Sequence, residues 1–474
     1  MSTYLARMLI FGTLTVLAGM NTGCSSDPDL DEVSGRVKVR MPWMLSDLSL
    51  NASDPKLDSA VHAKQNPISL QFIEISDIKN LKRVQGSFAE FLLYPQLSGS
   101  DLSGVFPEAQ FIKYKNDRYV AVNALSIQMA ALYAHAERLR AFDSLLGVKV
   151  NTGPRTIALF DVEDRGETNN AFYHGESDAM FFLPFTGSNV STTFNSGIFA
   201  HEHFHSIFYK IVHRPLIASQ VLPQNMNPSL HGNAIREKLE SSNSNIRVGA
   251  VPGALATNQK DVSVLSTLSV NDQNYARILI QGLNEGVADI WGWAYTGNPD
   301  FIAISLPSEK DARTLVSFAK TEDQFFRFPP KCVVQRFVED VQASDVENKP
   351  NFYRAKSYEF GTAFARIMKL YAENIQVAEG ITNAEARVKV AKQIVEFLPR
   401  VKDYYATQLS QMVPIDLFKK FAQTQTLTQN QCQFFLRILN SPFNDGGFKS
   451  VCEVSTNDHY VIQQTTETKE EFCR

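Results

Sequence analysis

Five consecutive residues near the middle of the chain, His201-Glu202-His203-Phe204-His205, set three imidazoles and a carboxylate into a stretch that is otherwise apolar. Ile198, Phe199, Phe204, Ile207, Phe208 and Val212 recur at helical spacing behind an Asn195-Ser196 cap, so the segment is predicted to be a largely buried helix. Polar groups in such a helix are stable only if each finds a partner, so this segment constrains the rest of the fold. Four residues make about one helical turn, which puts His201 and His205 on one face, able to chelate a single cation. His203 lies about 200° around the helix from them and cannot join the same ion, so packing or a hydrogen bond is its expected role. The competing reading is a helix with clustered histidines and no metal.

A catalytic zinc site uses three protein ligands and leaves its fourth position to water, and zinc accepts neutral imidazole nitrogen well. The third ligand is expected from a second helix, Tyr275 to Tyr295, which carries Asn284-Glu285-Gly286-Val287-Ala288-Asp289-Ile290-Trp291. Glu285 and Asp289 are four apart and share a face. Glu285 is the candidate ligand, and Asp289 is the candidate acceptor for the distal N–H of a ligand histidine. An ordinary solvated acidic face is the alternative, although Leu283, Val287, Ile290 and Trp291 argue that the helix is buried around these carboxylates. Glu202, next to the first histidine, can take a proton from a bound water. His62, His135, His174, His213, His231 and His459 stand alone in sequence and read as surface or internally satisfied residues.

The surrounding patterns predict an α+β fold. Ile68 to Ile78 reads as a strand, Ser98 to Gly104 as a loop, and Tyr119 to Gly147 as a long amphipathic helix. Thr156 to Val162 reads as a buried strand and Ala171 to Leu183 as a hairpin interrupted at His174-Gly175-Glu176-Ser177-Asp178. Residues 213 to about 270 are rich in Pro, Asn, Ser and Gly and form an irregular excursion, and beyond about 300 the pattern is mainly helical.

In three separated places the chain resembles the thermolysin-like zinc metallopeptidases and their fungalysin relatives. These are His201 to His205, Asn284-Glu285-x-x-x-Asp289, and Asn169-Asn170-Ala171-Phe172-Tyr173 with Met180 following. The resemblance implies a two-lobed fold with zinc held by His201, His205 and Glu285, Asp289 supporting a ligand histidine, and Glu202 as general base. It further implies that the Asn170 side chain and the Ala171 backbone hold an extended peptide at a sheet edge. At Ser357-Tyr358-Glu359-Phe360-Gly361, where the family places an oxyanion-stabilising histidine, this chain has none, and Tyr358 is the candidate donor in its stead. Tyr275 falls near an auxiliary tyrosine of the family but suits the core. The connection between His205 and Glu285 is longer than the family's, and its acidic calcium-binding cluster is not evident.

At the N-terminus, Arg7 followed by the apolar run Met8 to Met20 predicts a signal peptide, and Asn21-Thr22-Gly23-Cys24 resembles a bacterial lipoprotein processing site, with Cys24 the lipidated residue. A plainly cleaved secreted protein is the alternative. Cys332, Cys432, Cys452 and Cys473 then remain in an oxidising compartment, where two disulfides are expected in one of three connectivities. A formal charge of -4 offers no general attraction for nucleic acid, and the membrane is expected to be met through the lipid at Cys24 only. The expected organisation is a signal peptide over 1–23, a tether and small α/β region over 24–115, a zinc-bearing lobe over 116–300 and a mainly helical lobe over 301–474. The expected activity is zinc-dependent cleavage of peptide or protein substrates. A catalytically degenerate envelope lipoprotein that binds peptide without turnover is the alternative.

Overall fold

The computed structural model describes residues 30–44, 50–51, 54–55, 68–98, 100–150, 153–160, 168–223, 226, 263–316, 328–409, 411–425 and 427–439. The expected signal peptide, Cys24, His62, His231, His459, Cys452, Cys473 and most of the 213–270 excursion lie outside these residues.

The chain is a mixed α+β structure with two five-stranded sheets. Strands β1 (Gly35–Met44), β2 (Leu50–Asn51), β3 (Asp54–Pro55), β4 (Ile68–Asn80) and β5 (Gln85–Gly86) come first, then β6 (Ala89–Ser98), β7 (Asp101–Val105), β8 (Phe111–Lys115) and β9 (Arg118–Ala121). The first sheet has the order β5-β4-β1-β9-β8, and β2 and β3 form a separate pair. In β1 the residues Val37, Val39, Met41 and Trp43 are buried while Lys38 and Arg40 face out, the period-two pattern of a half-buried strand.

Helix α1 (Ala124–Leu146) follows, capped by the Asn123 side chain, which accepts the Ser126 N–H, and closed by Gly147 at φ 74. Strands β10 (Arg155–Leu159), β11 (Ala171–His174) and β12 (Ala179–Phe182) complete the second sheet in the order β11-β12-β10-β6-β7. There β10 runs parallel to both β6 and β12, and β11 is an edge strand, antiparallel to β12. The longer helices are then α2 (Ser196–Phe208), α3 (Val270–Thr296), α4 (Lys331–Ala343), α5 (Lys349–Glu379), α6 (Asn383–Gln408), α7 (Asp416–Thr424) and α8 (Gln429–Leu439).

Two expectations are corrected. Arg118–Ala121 is strand β9, paired parallel with β1, and not the first turn of the long helix. Tyr119 and Ala121 are buried and alternate with outward residues, a period of two that the helical spacing further along had masked. The expected loop over Ser98 to Gly104 is largely strand, because Leu102 and Ser103 pair with Leu97 and Gln96 across the β6–β7 hairpin. The β11–β12 hairpin and the Asn195 cap are where the sequence puts them, with the Asn195 side chain accepting the Gly197 and Ile198 N–H groups.

One contiguous apolar cluster runs from Val37 in the first sheet to Leu439 in α8. Cys332 in α4 and Cys432 in α8 are both disulfide-bonded. Among the described residues, no helix is long and apolar enough to cross a membrane.

The closest helix packing joins α3 and α5 through glycines. A Cβ on Gly286 would stand 2.4 Å from the Gly361 carbonyl oxygen, and one on Gly361 would stand 2.3 Å from that of Gly282. Gly286→Ala is therefore expected to force the helices apart and to destabilise the protein by about 1–3 kcal/mol, the usual scale of overpacking. An unchanged urea midpoint for that variant would show that the backbones are not in contact.

Two isolated histidines prove to be buried without hydrogen-bond partners. His135 is stacked on Trp43 at 4.5 Å and tilted against Phe199, and His213 meets Phe208 edge-on. Burial depresses both rings to about 3. Below about pH 6.5 the unfolded chain takes up protons that the folded chain refuses, so stability held above that pH is lost as pH falls toward 3. Each ring contributes a slope of roughly 1.4 kcal/mol per pH unit in that window. His135→Leu should flatten the loss of urea stability between neutral pH and pH ~4.5. An unaltered slope would refute this origin of acid sensitivity.

Candidate metal centre

The Asn195 cap and the following 3.6-residue period rotate α2 so that His201 and His205 face α3. The opposite side of α2 is pinned independently. His203 Nε2 lies 2.8 Å from Asp143 Oδ2 of α1, and its Nδ1 lies 3.0 Å from the Arg155 guanidinium of β10, which also donates to Ser206 Oγ. The middle histidine thus has the hydrogen-bonding role expected of it. Arg155 continues to Asp178 at 3.4 Å, and Asp178 accepts from Tyr173 at 2.9 Å and from Lys210 at 2.6 Å. This chain of charges, buried at Asp143, His203 and Arg155 and half-exposed at Asp178, ties α1, β10 and the β11–β12 turn to the helix that carries the histidines.

On the facing side, His201 Nε2 is 3.1 Å from His205 Nε2 and 3.3 Å from Glu285 Oε2, and His205 Nε2 is 3.7 Å from Glu285 Oε1. All three residues are buried, and they are the one group of three or more potential ligands that converges among the described residues. Two facing imidazole nitrogens repel unless a proton or a cation lies between them. Glu285 Oε1 is buried with no hydrogen-bond partner. A tetrahedron with arms of about 2.0–2.1 Å has edges of roughly 3.3 Å, close to the His201–His205 and His201–Glu285 Oε2 separations, with His205 nearest the other oxygen of the same carboxylate, and two imidazole nitrogens with a carboxylate suit zinc. The residues present therefore fit the ion that the sequence implies.

Supporting groups surround these three. Asp289 Oδ1 lies 3.0 Å from His201 Nδ1, placing the carboxylate where it orients the ring. Arg313, in the one-turn helix Lys310–Arg313, reaches both acids, with its Nε 3.2 Å from Asp289 Oδ2 and its terminal nitrogen 2.7 Å from Asp289 Oδ1 and 3.4 Å from Glu285 Oε2. The guanidinium also stacks 4.3 Å over the Tyr358 ring. Asn284 lies beside His205 and favours its charged form, but burial dominates and lowers that ring to about 4. His201 goes the other way, because the Asp289 and Glu285 carboxylates outweigh burial and raise it to about 9.

The carboxylates diverge as well. Against the effect of burial, His205, His201 and Arg313 hold Glu285 well below the usual carboxylate range. Burial pushes Glu202 up to about 8, with Glu285 adding to the rise and His201 and Arg313 opposing it. Two nearby carboxylates are thus driven in opposite directions by their surroundings. Tyr358 is shifted well upward by burial and by Glu285, so its phenol stays protonated, and the charges of Arg313 and Glu202 also act on it.

Of the sequence-predicted residues, His201, Glu202, His205, Glu285, Asp289 and Tyr358 are brought together. Asn170 and Ala171 stand at the start of edge strand β11, which packs against α2, and the backbone N–H of Tyr173 faces Glu202. Ala171 is itself buried, and its N–H is taken by Asn170 Oδ1 at 2.9 Å. Tyr275 lies in the core and donates to the Met412 carbonyl at 2.8 Å. The sequence reading missed Arg313, which no motif marks, and the contribution of Asn284. It also missed the glycine crossing, although Gly282-x-x-x-Gly286 is a recognisable small-residue spacing. No protein-family model matches the chain, and no curated protein is similar to it.

Proposed function

We propose that the protein is an exported zinc-dependent endopeptidase of the thermolysin-like type, two-lobed, with its cleft over the His201, His205 and Glu285 cluster. The observation that carries this reading is the convergence of three buried zinc-compatible donors, with Glu202 one residue from the first of them. Zinc held there would polarise the scissile carbonyl and lower the pKa of an attacking water. Glu202, in its ionised form, takes the proton of that water and passes it to the leaving amine; burial raises its carboxyl to about 8, which makes the carboxylate the stronger base. Tyr358, protonated at any physiological pH, donates a hydrogen bond to the carbonyl oxygen as it gains negative charge. An extended peptide adds to the edge of β11, and the Asn170 side chain swings off the Ala171 N–H to receive it. Cys24 carries the lipid that keeps the enzyme at the bacterial envelope.

The second reading, a binding lipoprotein on a degenerate peptidase scaffold, is favoured by the burial of Ala171 and by the prior engagement of its N–H. A chain beginning at Ser25 distinguishes the two. Elemental analysis is expected to find about one zinc per chain, lost or much weakened in Glu285→Ala. Glu202→Gln is expected to keep its zinc and lose peptide hydrolysis. Folded wild-type protein that takes up no added zinc would defeat the enzyme reading, as would full turnover by Glu202→Gln.

Tyr358→Phe removes one oxyanion donor and should lower kcat on the order of 100-fold with KM little changed. Wild-type kcat in that variant would remove Tyr358 from the mechanism.

A further inference from the structure

The outer face of the first sheet combines two features that seldom share a solvent-facing surface. Arg40 pairs with Phe72 of β4 and with Val120 of β9, and Lys38 pairs with Glu74 and Arg118, so these residues share one face. Arg36, Lys38, Arg40, Lys115 and Arg118 give this face five cations. Glu74 opposes them, near Arg36 at 3.8 Å and Lys38 at 3.6 Å, with Asp117 at the hairpin tip. The chain as a whole is at -4, so the cations are concentrated here against the overall charge. Between them lie apolar side chains that a soluble sheet would normally bury: Leu70 is 53% exposed, Ile112 43% and Tyr114 58%. Phe72 and Tyr114 stack at 5.9 Å, Arg118 lies 5.3 Å over the Phe72 ring, and Lys115 lies 5.9 Å over the Tyr114 ring.

We propose that this face docks on an anionic lipid bilayer. Cations draw such a face to the headgroups, and aromatic and aliphatic side chains among them enter the interface, where tyrosine is favoured. The reach is right as well. Ten residues lie between Cys24 and Gly35 at the start of β1, so a lipid on Cys24 would hold this face within about 40 Å of the membrane. The docking itself needs neither that lipid nor peptidase activity.

The test uses a chain from Ser25, which retains every described element, with vesicles of phosphatidylcholine alone or with one-third phosphatidylglycerol. The wild type should sediment with the anionic vesicles only, and less so as salt rises. Each cation at an anionic surface is worth roughly a fivefold gain in partition, so Lys38→Glu/Arg40→Glu/Arg118→Glu should bind at least tenfold less. Leu70→Ser/Tyr114→Ser should lose a few-fold at constant salt. Unchanged circular dichroism and zinc content in both variants would show that fold and metal site are intact. Equal sedimentation of wild type and triple variant, or none by the wild type, would overturn the proposal. Capture by heparin or nucleic acid without vesicle binding would overturn it too and assign the face to a soluble polyanion.

Discussion

Glu285 carries a negative charge in a place where charge is expensive. Its side chain is 2% exposed, in the middle of a 27-residue helix, and it stays ionised because His201, His205 and Arg313 converge on it. Removing one partner of a buried ion pair commonly costs 3–5 kcal/mol, because the remaining charge is left without compensation. The field it creates also acts on its neighbours. It helps to hold Glu202 near neutrality, helps to raise His201, and adds to the pressure that keeps the Tyr358 phenol protonated. A single buried carboxylate thus adds to the shifts of a carboxyl, an imidazole and a phenol around it, beside burial itself.

That arrangement depends on how closely two helices approach. Tyr358 sits on α5 three residues before Gly361, and Glu285 sits on α3 one residue before Gly286. The carbonyl of Gly361 lies where any side chain at Gly286 would have to go. Helices normally pack 8–10 Å apart, with side chains filling the space between them. Here that filling is absent at the crossing, which brings the aromatic ring over Arg313 and into the field of Glu285. The other face of α2 is fixed by His203 between Asp143 and Arg155, so His201 and His205 are oriented from behind as well as from in front.

Much of this centre was legible because helical periodicity is a local property. Four-residue spacing puts His201 with His205 and Glu285 with Asp289 whatever the remainder of the chain does, and the apolar residues around each pair require both helices to be buried. The β11 hairpin was legible for the same reason, through its own alternation and turn. What escaped notice was set by tertiary contact. Arg313 comes 28 residues after Glu285, in a single turn of helix with no periodic pattern, and only the folded chain brings it to both acids. The first sheet was largely missed because β1 pairs with β9 across 80 residues, Lys38 with Arg118, and the short β8–β9 hairpin adds to the sheet only through that pairing. The burial of His135 depends on Trp43 and Phe199 from other elements, which an isolated histidine in a sequence does not announce.

In the proposed mechanism a tyrosine stands where the resemblance puts a histidine as oxyanion donor, and that exchange would change the chemistry in a definable way. An imidazole near a metal changes its charge between pH 5 and 8, so a site that relies on it acquires a titration in the working range. A phenol has no such transition, and burial with Glu285 nearby moves the Tyr358 phenol further from it. Such a site would lose a positive charge beside the developing oxyanion, and a neutral donor makes the weaker hydrogen bond. Arg313 supplies that charge one layer back, stacked on the ring that carries the donor and anchored to both Asp289 and Glu285. The positive potential lies behind the phenol and makes its hydrogen a better donor, while the arginine itself remains committed to the carboxylates that fix the metal ligands.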